Sequence, residues 1–212
     1  MKSDIAIVDY GMGNLRSVAK ALEHVAPHAQ VSVTSDPNVV AKAARVVFPG
    51  QGAMPDCMRE LDARGLRDAV LQAARNKPFL GICIGLQMLF EFSEEGNVAG
   101  LGLLPGSVRR FPTADEQGDK IKVPHMGWNQ VYQAAPHRLW SGIVDDARFY
   151  FVHSYYVEAS AEEMVAAYSI YARRFTCAAA RENIFAVQFH PEKSQSAGLK
   201  LLQNFVSWSG QA

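Results

Sequence analysis

PFLGICIGLQMLF, Pro78–Phe90, sets a cysteine between two glycines where an apolar run with the look of a buried strand turns straight into a run with helical spacing. The same succession occurs upstream. DIAIVDY precedes LRSVAKALEHV, VSVTSD precedes NVVAKAA, and RVVFPG precedes the helical material MPDCMRELDARGLRDAVLQAARN, which ends at Pro78. Strands that read as continuous apolar runs and alternate with helices predict a parallel sheet covered on both faces. After Phe92 the texture changes: SVRRF, WNQVYQ, ARFYFVHSYYVE, MVAAYSIYA and FTCAAAR are short alternating stretches punctuated by Pro, Gly and Asn, which predicts antiparallel β. FPTADEQGDK reads as an exposed loop, IFAVQFH as a last strand and SAGLKLLQNFVSW as a last amphipathic helix. The expected fold is α/β: an open, mainly parallel central sheet with helices on both faces and an antiparallel β extension, in one domain spanning 1–212.

Composition narrows the function classes. The 212 residues, 49% of them apolar, suffice for one sizeable core and are few for two. Lys and Arg total 21, as do Asp and Glu, with no long block of either sign, so no nucleic-acid or anionic-membrane footprint is expected. The apolar run at the N-terminus is broken by Asp9 too soon for a signal peptide, and no stretch approaches the roughly 20 apolar residues of a membrane span. The expectation is a cytoplasmic protein. Three widely spaced cysteines, Cys57, Cys83 and Cys177, fit neither a disulfide framework nor paired metal ligands; Cys57 and Cys177 read as buried and inert. His24, His28, His125 and His137 show no metal-binding spacing.

Gly81, Cys83 and Gly85 have the G-x-C-x-G spacing of a nucleophile elbow with sulfur in place of oxygen. A nucleophile on a strained strand-to-helix turn needs neighbours without a Cβ, so that the chain can pack closely around it. The helix LQMLFEF expected behind Cys83 would favour the thiolate, and the N–H of Ile84 would point to where an oxyanion forms. The plain reading of Cys83 is a small buried hydrophobe. QFHPE, Gln188–Glu192, supplies a base: in an extended chain His190 and Glu192 face the same side, so Glu192 can orient the imidazole while the other ring nitrogen takes the proton of Cys83. Both motifs end predicted strands, where open parallel sheets bind ligands. FPGQGAMPD, Phe48–Asp56, also follows a strand, and glycines on either side of Gln51 let its loop present a second N–H to the oxyanion.

GICIGLQ and QFHPE resemble the class I, triad-type glutamine amidotransferases. DYGMGNLRS, PGQGAM, KVPHMGWN, FYFVHSYY and QFHPEKS, in that order from Tyr10 to Ser194, resemble more closely the glutaminase subunits of imidazole glycerol phosphate synthases. The resemblance implies that Cys83 attacks the side-chain amide of glutamine, that His190 shuttles the proton to the leaving ammonia and that Glu192 holds His190. It implies that Gly52, Gln87, Glu95 and the run His153, Ser154, Tyr155 hold the substrate. Asn14, Trp128, Tyr150 and Lys193 would lie at the interface with a (β/α)8-barrel cyclase subunit, in a one-to-one complex that serves histidine biosynthesis. No metal or organic cofactor is implied. One departure stands out: the family loop reads P-G-V-G, and Gln51 replaces the valine. Its amide is expected to add hydrogen bonds that shift the loop's equilibrium.

Three other readings compete. Gly11 and Gly13 begin a dinucleotide fingerprint, but Arg16 stands where close helix–strand packing requires Gly or Ala. A different triad amidotransferase or a stand-alone γ-glutamyl hydrolase would share Cys83, His190 and Glu192 and need no partner. A redox sensor would use the elbow cysteine as an oxidation switch, and would have no use for an oriented base.

Overall fold

The computed structural model describes residues 4–114 and 118–211. Its first part alternates as the apolar pattern predicts: β1 (Ile5–Val8), α1 (Leu15–Val25), β2 (Val31–Thr34), α2 (Pro37–Lys42), β3 (Arg45–Phe48), α3 (Met54–Ala63), α4 (Arg67–Asn76), β4 (Phe79–Ile82) and α5 (Ile84–Met88). Strands then dominate: β5 (Phe90–Ser93), β6 (Val98–Ala99), β7 (Leu104–Arg110), β8 (His125–Gln130), β9 (Tyr132–Gln133), β10 (Arg148–His153), β11 (Tyr155–Ala159), β12 (Val165–Tyr171), β13 (Arg173–Arg181) and β14 (Ile184–Val187). Helix α6 (Gln195–Ser207) follows.

The main sheet runs β2-β1-β3-β4-β14-β13-β11-β7-β5-β6, with β12 and β9 attached beside β13. The block β2-β1-β3-β4-β14 is parallel throughout, and β14-β13-β11-β7 is antiparallel. Strand side chains alternate between faces, and this alternation sorts the core. Ile5 and Ile7 of β1 lie with Leu80, Ile82, Phe185 and Val187 against α1 and α6, through Leu22, Leu201 and Phe205. Ala6 and Val8 lie with Val46, Phe48 and Phe79 against α2, α3 and α4, through Val40, Leu61 and Val70. Both faces of β1, β3, β4 and β14 are thus covered, while the edge strand β2 stays half-exposed. Side chains also fix helix ends: Asp36 accepts from the Asn38 N–H at 2.8 Å to start α2, and Lys77 donates to the Val40, Ala41 and Ala43 carbonyls at its far end.

The elements differ from the sequence pattern in several places; WNQVYQ, for one, divides into the end of β8 and β9, which belong to different sheets. The stretch from Met54 to Asn76 is two helices, because Gly65 adopts a left-handed φ of 65° and donates to the Asp62 carbonyl. LQMLFEF is not one helix: α5 stops at Met88 and β5 begins at Phe90. The carbonyls that would continue the helix accept instead from a distant segment, Leu101 N–H to Met88 at 2.8 Å and Leu103 N–H to Leu89 at 2.9 Å. ARFYFVHSYYVE divides at Ser154, with β10 pairing β8 as a separate antiparallel ribbon and β11 joining the main sheet. The expected loop FPTADEQGDK contains a bridge between Ala114 and Lys120; its residues 115–117 lie outside the described residues.

Candidate active site

The parallel strands β3, β4 and β14 bring three loop segments to one carboxyl edge of the sheet. Cys83 follows β4 with φ 57° and ψ −113°, outside the regions that L-residues favour. Its N–H donates to the Val187 carbonyl of β14 at 2.8 Å, and its own carbonyl accepts from the Leu86 N–H at 3.0 Å. A fixed turn results. The flanking glycines are required by contact: a Cβ on Gly85 would collide with the Phe48 carbonyl oxygen, and one on Gly81 would stand 2.9 Å from the Ala186 Cβ. The elbow opens the cysteine only into a cleft, for the residue is 8% exposed. The helix behind it has five residues, so the anion-favouring group is the first turn of N–H donors, Ile84 foremost, rather than a long dipole.

His190 lies beyond β14, and its Nδ1 is 2.8 Å from Glu192 Oε1. The pair does not arise from an extended chain. Pro191–Lys193 form a 3-10 turn, closed by Lys193 N–H on the His190 carbonyl at 3.0 Å and by the Ser194 hydroxyl on the same oxygen at 2.6 Å. Pro191, with its fixed φ, opens the turn that folds Glu192 back under the ring. Both side chains are buried. Burial acts hardest on this imidazole and opposes its charge, but the facing Cys83 sulfur and then Glu192 outweigh burial and push its pKa up to about 10. Nε2 is buried without a hydrogen-bond partner and is the nitrogen left to face the sulfur; the second oxygen of Glu192 is likewise unpartnered.

A cleft of about 480 Å³ lies over this pair. Cys83, Ile84 and His190 form its floor, with Gln51 and Gly52 on one side. Gly52 has φ 106°, and the Gln51 carbonyl accepts from the Cys57 thiol at 3.6 Å. The Gln51 amide side chain, expected to add hydrogen bonds, makes none among the described residues and is exposed. Gln87 and Glu95 also line the cleft, but much of their bonding capacity is spent: Gln87 donates to the Tyr155 carbonyl and to Gln188, and Glu95 accepts from the Met54 N–H at 2.8 Å, capping α3. His153, Ser154 and Tyr155 form the opposite wall at the break between β10 and β11. His153 points both ring nitrogens into buried hydrogen bonds, to His125 at 2.9 Å and the Tyr155 carbonyl at 2.7 Å.

Tyr150 and Lys193 stand at the cleft's rim, the ammonium 6.0 Å from the ring centroid, and Trp128 packs edge-on to Tyr150 from the paired strand β8. Asn14 is exposed at the start of α1 and does not line the cleft, although its loop abuts the Gln51 loop where Gly13 meets Gly50. Cys57 and Cys177 are free and fully buried; burial raises the pKa of the first to about 11 and that of the second well above the ordinary thiol range.

The family model for class-I glutamine amidotransferases matches residues 6–208. The imidazole glycerol phosphate synthase subunit HisH of Aromatoleum aromaticum is 70% identical over 98% of this chain and 99% of its own length. That of Thiobacillus denitrificans is 67% identical over 99% and 93%. The chain belongs to the class-I glutamine amidotransferases, among the HisH subunits. Solved structures agree on the fold of this amidotransferase. A GMP synthase protein of Thermoplasma acidophilum aligns with TM-score 0.71 at 18% identity over 98% of this chain and 94% of that one, and a glutamine amidotransferase aligns with TM-score 0.73 at 15% identity over 97% and 100%.

Two polar groups of this HisH-family chain escape the sequence reading: Gln188, whose Nε2 lies 3.7 Å from the Cys83 sulfur, and His125, whose spacing points to no role and whose ring holds His153. The signal that could have found Gln188 is an amide inside the apolar run IFAVQF, since a buried polar side chain needs a partner.

Proposed function

We propose that this chain is the glutaminase subunit of an imidazole glycerol phosphate synthase, hydrolysing glutamine to glutamate and ammonia and passing the ammonia to a cyclase subunit in histidine biosynthesis. One observation carries the reading: an imidazole bound at Nδ1 by a buried carboxylate turns its other nitrogen toward a cysteine on a positive-φ elbow, inside a cleft of amino-acid size.

An imidazolium facing the sulfur at neutral pH supplies the counter-charge for a thiolate nucleophile. The sulfur attacks the carboxamide carbon of glutamine, and the carbonyl oxygen becomes an oxyanion that the N–H groups of Ile84 and Gln51 receive. His190 gives its proton to the departing nitrogen, ammonia leaves and a γ-glutamyl thioester remains. Neutral His190 then takes a proton from water, whose oxygen displaces the sulfur as glutamate forms. Glu192 keeps the ring's tautomer and offsets its charge throughout. Gly52, Gln87, Glu95 and the 153–155 segment hold the substrate. In this reading Gln87 offers its carbonyl oxygen, because both of its N–H bonds are already engaged.

The partner is a (β/α)8-barrel cyclase in a one-to-one complex, met by Asn14, Trp128, Tyr150 and Lys193 around the cleft. What favours that face is apolar surface beside the site: Met126 is 61% and Trp128 38% exposed. The catalytic unit is a single domain spanning 1–212, at work in the cytoplasm; no helix among the described residues is long and apolar enough to cross a membrane. Glutamate release by the chain alone and with the liganded cyclase is the test. Low release alone that rises strongly in the complex is expected; strong release alone would identify a hydrolase, and none in either case would remove the glutaminase assignment.

A further inference from the structure

Beside the triad, a second buried set of polar groups reaches the nucleophile, and its direction is fixed by one backbone carbonyl. The Tyr155 oxygen can only accept, and it accepts from Gln87 Nε2 at 3.1 Å and from His153 Nδ1 at 2.7 Å. The Gln87 amide therefore cannot be flipped. Its other N–H donates to Gln188 Oε1 at 2.9 Å, which commits the Gln188 oxygen as acceptor and leaves its Nε2 toward the Cys83 sulfur, 3.7 Å away. The His153 end agrees. With its proton on Nδ1, its Nε2 accepts from His125 Nδ1 at 2.9 Å, and His125 Nε2 meets the Asn129 amide nitrogen at 3.3 Å. That arrangement requires two neutral rings, and burial lowers both, His125 to about 4 and His153 to about 3.

Gln188 itself is fully buried, next to Val187, the residue in register with Ile82, and its backbone N–H is spent on the Cys177 carbonyl at 2.8 Å. Sheet pairing at that point needs no amide side chain. We propose that Gln188 is a further catalytic residue of this site: its carboxamide N–H donates to the Cys83 sulfur and favours the thiolate, and Gln87 holds it in that orientation. The proposal rests on Cys83 being the nucleophile. A hydrogen bond to a charged group is stronger than a neutral one, so the donor is worth more to the thiolate than to the thiol.

The test is the pH profile of Cys83 alkylation by iodoacetamide, followed by mass spectrometry of the Cys83 peptide, in the full chain and in Gln188→Met and Gln188→Glu. The titratable groups facing the sulfur are His190, with Glu192 behind it, Tyr10 in the loop after β1, and Cys57 from α3; both variants leave these residues in place. The midpoint belongs to the coupled thiol and imidazole, so a shift between variants is the quantity read. Gln188→Met is expected to move it alkaline by about one pH unit, with roughly tenfold slower alkylation below it and a similar loss in glutaminase kcat. Gln188→Glu, which keeps the acceptor for Gln87 and puts an oxygen at the sulfur, is expected to move it at least as far. A merely structural amide would lower the melting temperature and leave the midpoint unmoved. A parental midpoint in either folded variant overturns the proposal, and if Gln188→Met fails to fold, Gln188→Glu decides alone. Failure of Cys83 to alkylate ahead of Cys57 and Cys177 in the parent would sink the nucleophile assignment, and this proposal with it.

Discussion

Cys83 holds a backbone conformation costing on the order of 1–3 kcal/mol, and it persists because both peptide groups around it are tied down, one to β14 and the other within α5. Cys83→Ala keeps that backbone and removes only the sulfur. Glutamine-dependent turnover is expected to vanish in the complex with the cyclase, while turnover on free ammonia continues; loss of both would show that the chemistry is not divided between the subunits. Gly85→Ala tests the elbow from the opposite direction. Its Cβ would meet the Phe48 carbonyl, so a destabilisation above about 2 kcal/mol is expected in denaturant unfolding, with activity lost through the fold. Glu192→Gln should lower the pKa of His190, measured by NMR, from its raised value near 10. A raised folded-state pKa contributes stability that is fully present below the unfolded value of about 6.5 and is lost as pH rises toward 10. The variant should flatten that alkaline loss.

At the scale of elements, the β8/β10 ribbon stands apart from the main sheet and carries Trp128 opposite Tyr150. Its outer face leaves Met126 and Trp128 in solvent, whereas its inner face gives Phe149 and Phe151 to the core. On the proposed interface, a side chain placed in this way would contribute little to folding and much to docking. Trp128→Ala is therefore expected to change unfolding free energy by no more than about 0.5 kcal/mol and to weaken binding to the cyclase about tenfold or more in calorimetric titration. A large loss of stability with unchanged binding would show that Trp128 serves packing and not docking. The stretch WNQVYQ, one alternating run in sequence, divides at Val131 into the end of β8 and β9, which join different sheets; that division, the partner strand β10 and the break at Ser154 came from pairing between segments far apart in the chain. The shortened helix after Cys83 has the same origin. LQMLFEF has helical spacing, yet distant N–H groups at Leu101 and Leu103 take its carbonyls and leave only five helical residues.

Across the whole molecule, the buried pair His125 and His153, opposite each other in the β8/β10 ribbon, is joined to the main sheet where His153 Nδ1 meets the Tyr155 carbonyl of β11, and both rings are neutral when folded. The unfolded chain binds protons at these residues near pH 6.5 and the folded one only near 4 and 3, so stability falls as pH drops through that window. The melting temperature is expected to decline from pH 6.5 toward 4, ahead of ordinary carboxylate titration. His125→Gln should reduce the slope in that window; an unchanged slope would show that the pair does not govern it.

The chain's apolar periodicity determined the alternation of strands and helices, the parallel block and both faces of its core, because a period of two or 3.6 is a local property that survives without knowledge of neighbours. The motifs G-x-C-x-G and H-P-E likewise named the sulfur, imidazole and carboxylate, since their chemistry is written in residue type. Only the tertiary structure decided that Val187 stands beside Ile82, and hence that residues more than a hundred positions apart meet at one sheet edge. It also turned the link from His190 to Glu192 into a tight turn and brought the Gln188 amide to the sulfur. Strand order and the direction of a buried amide depend on partners distant in sequence, and no local pattern encodes them.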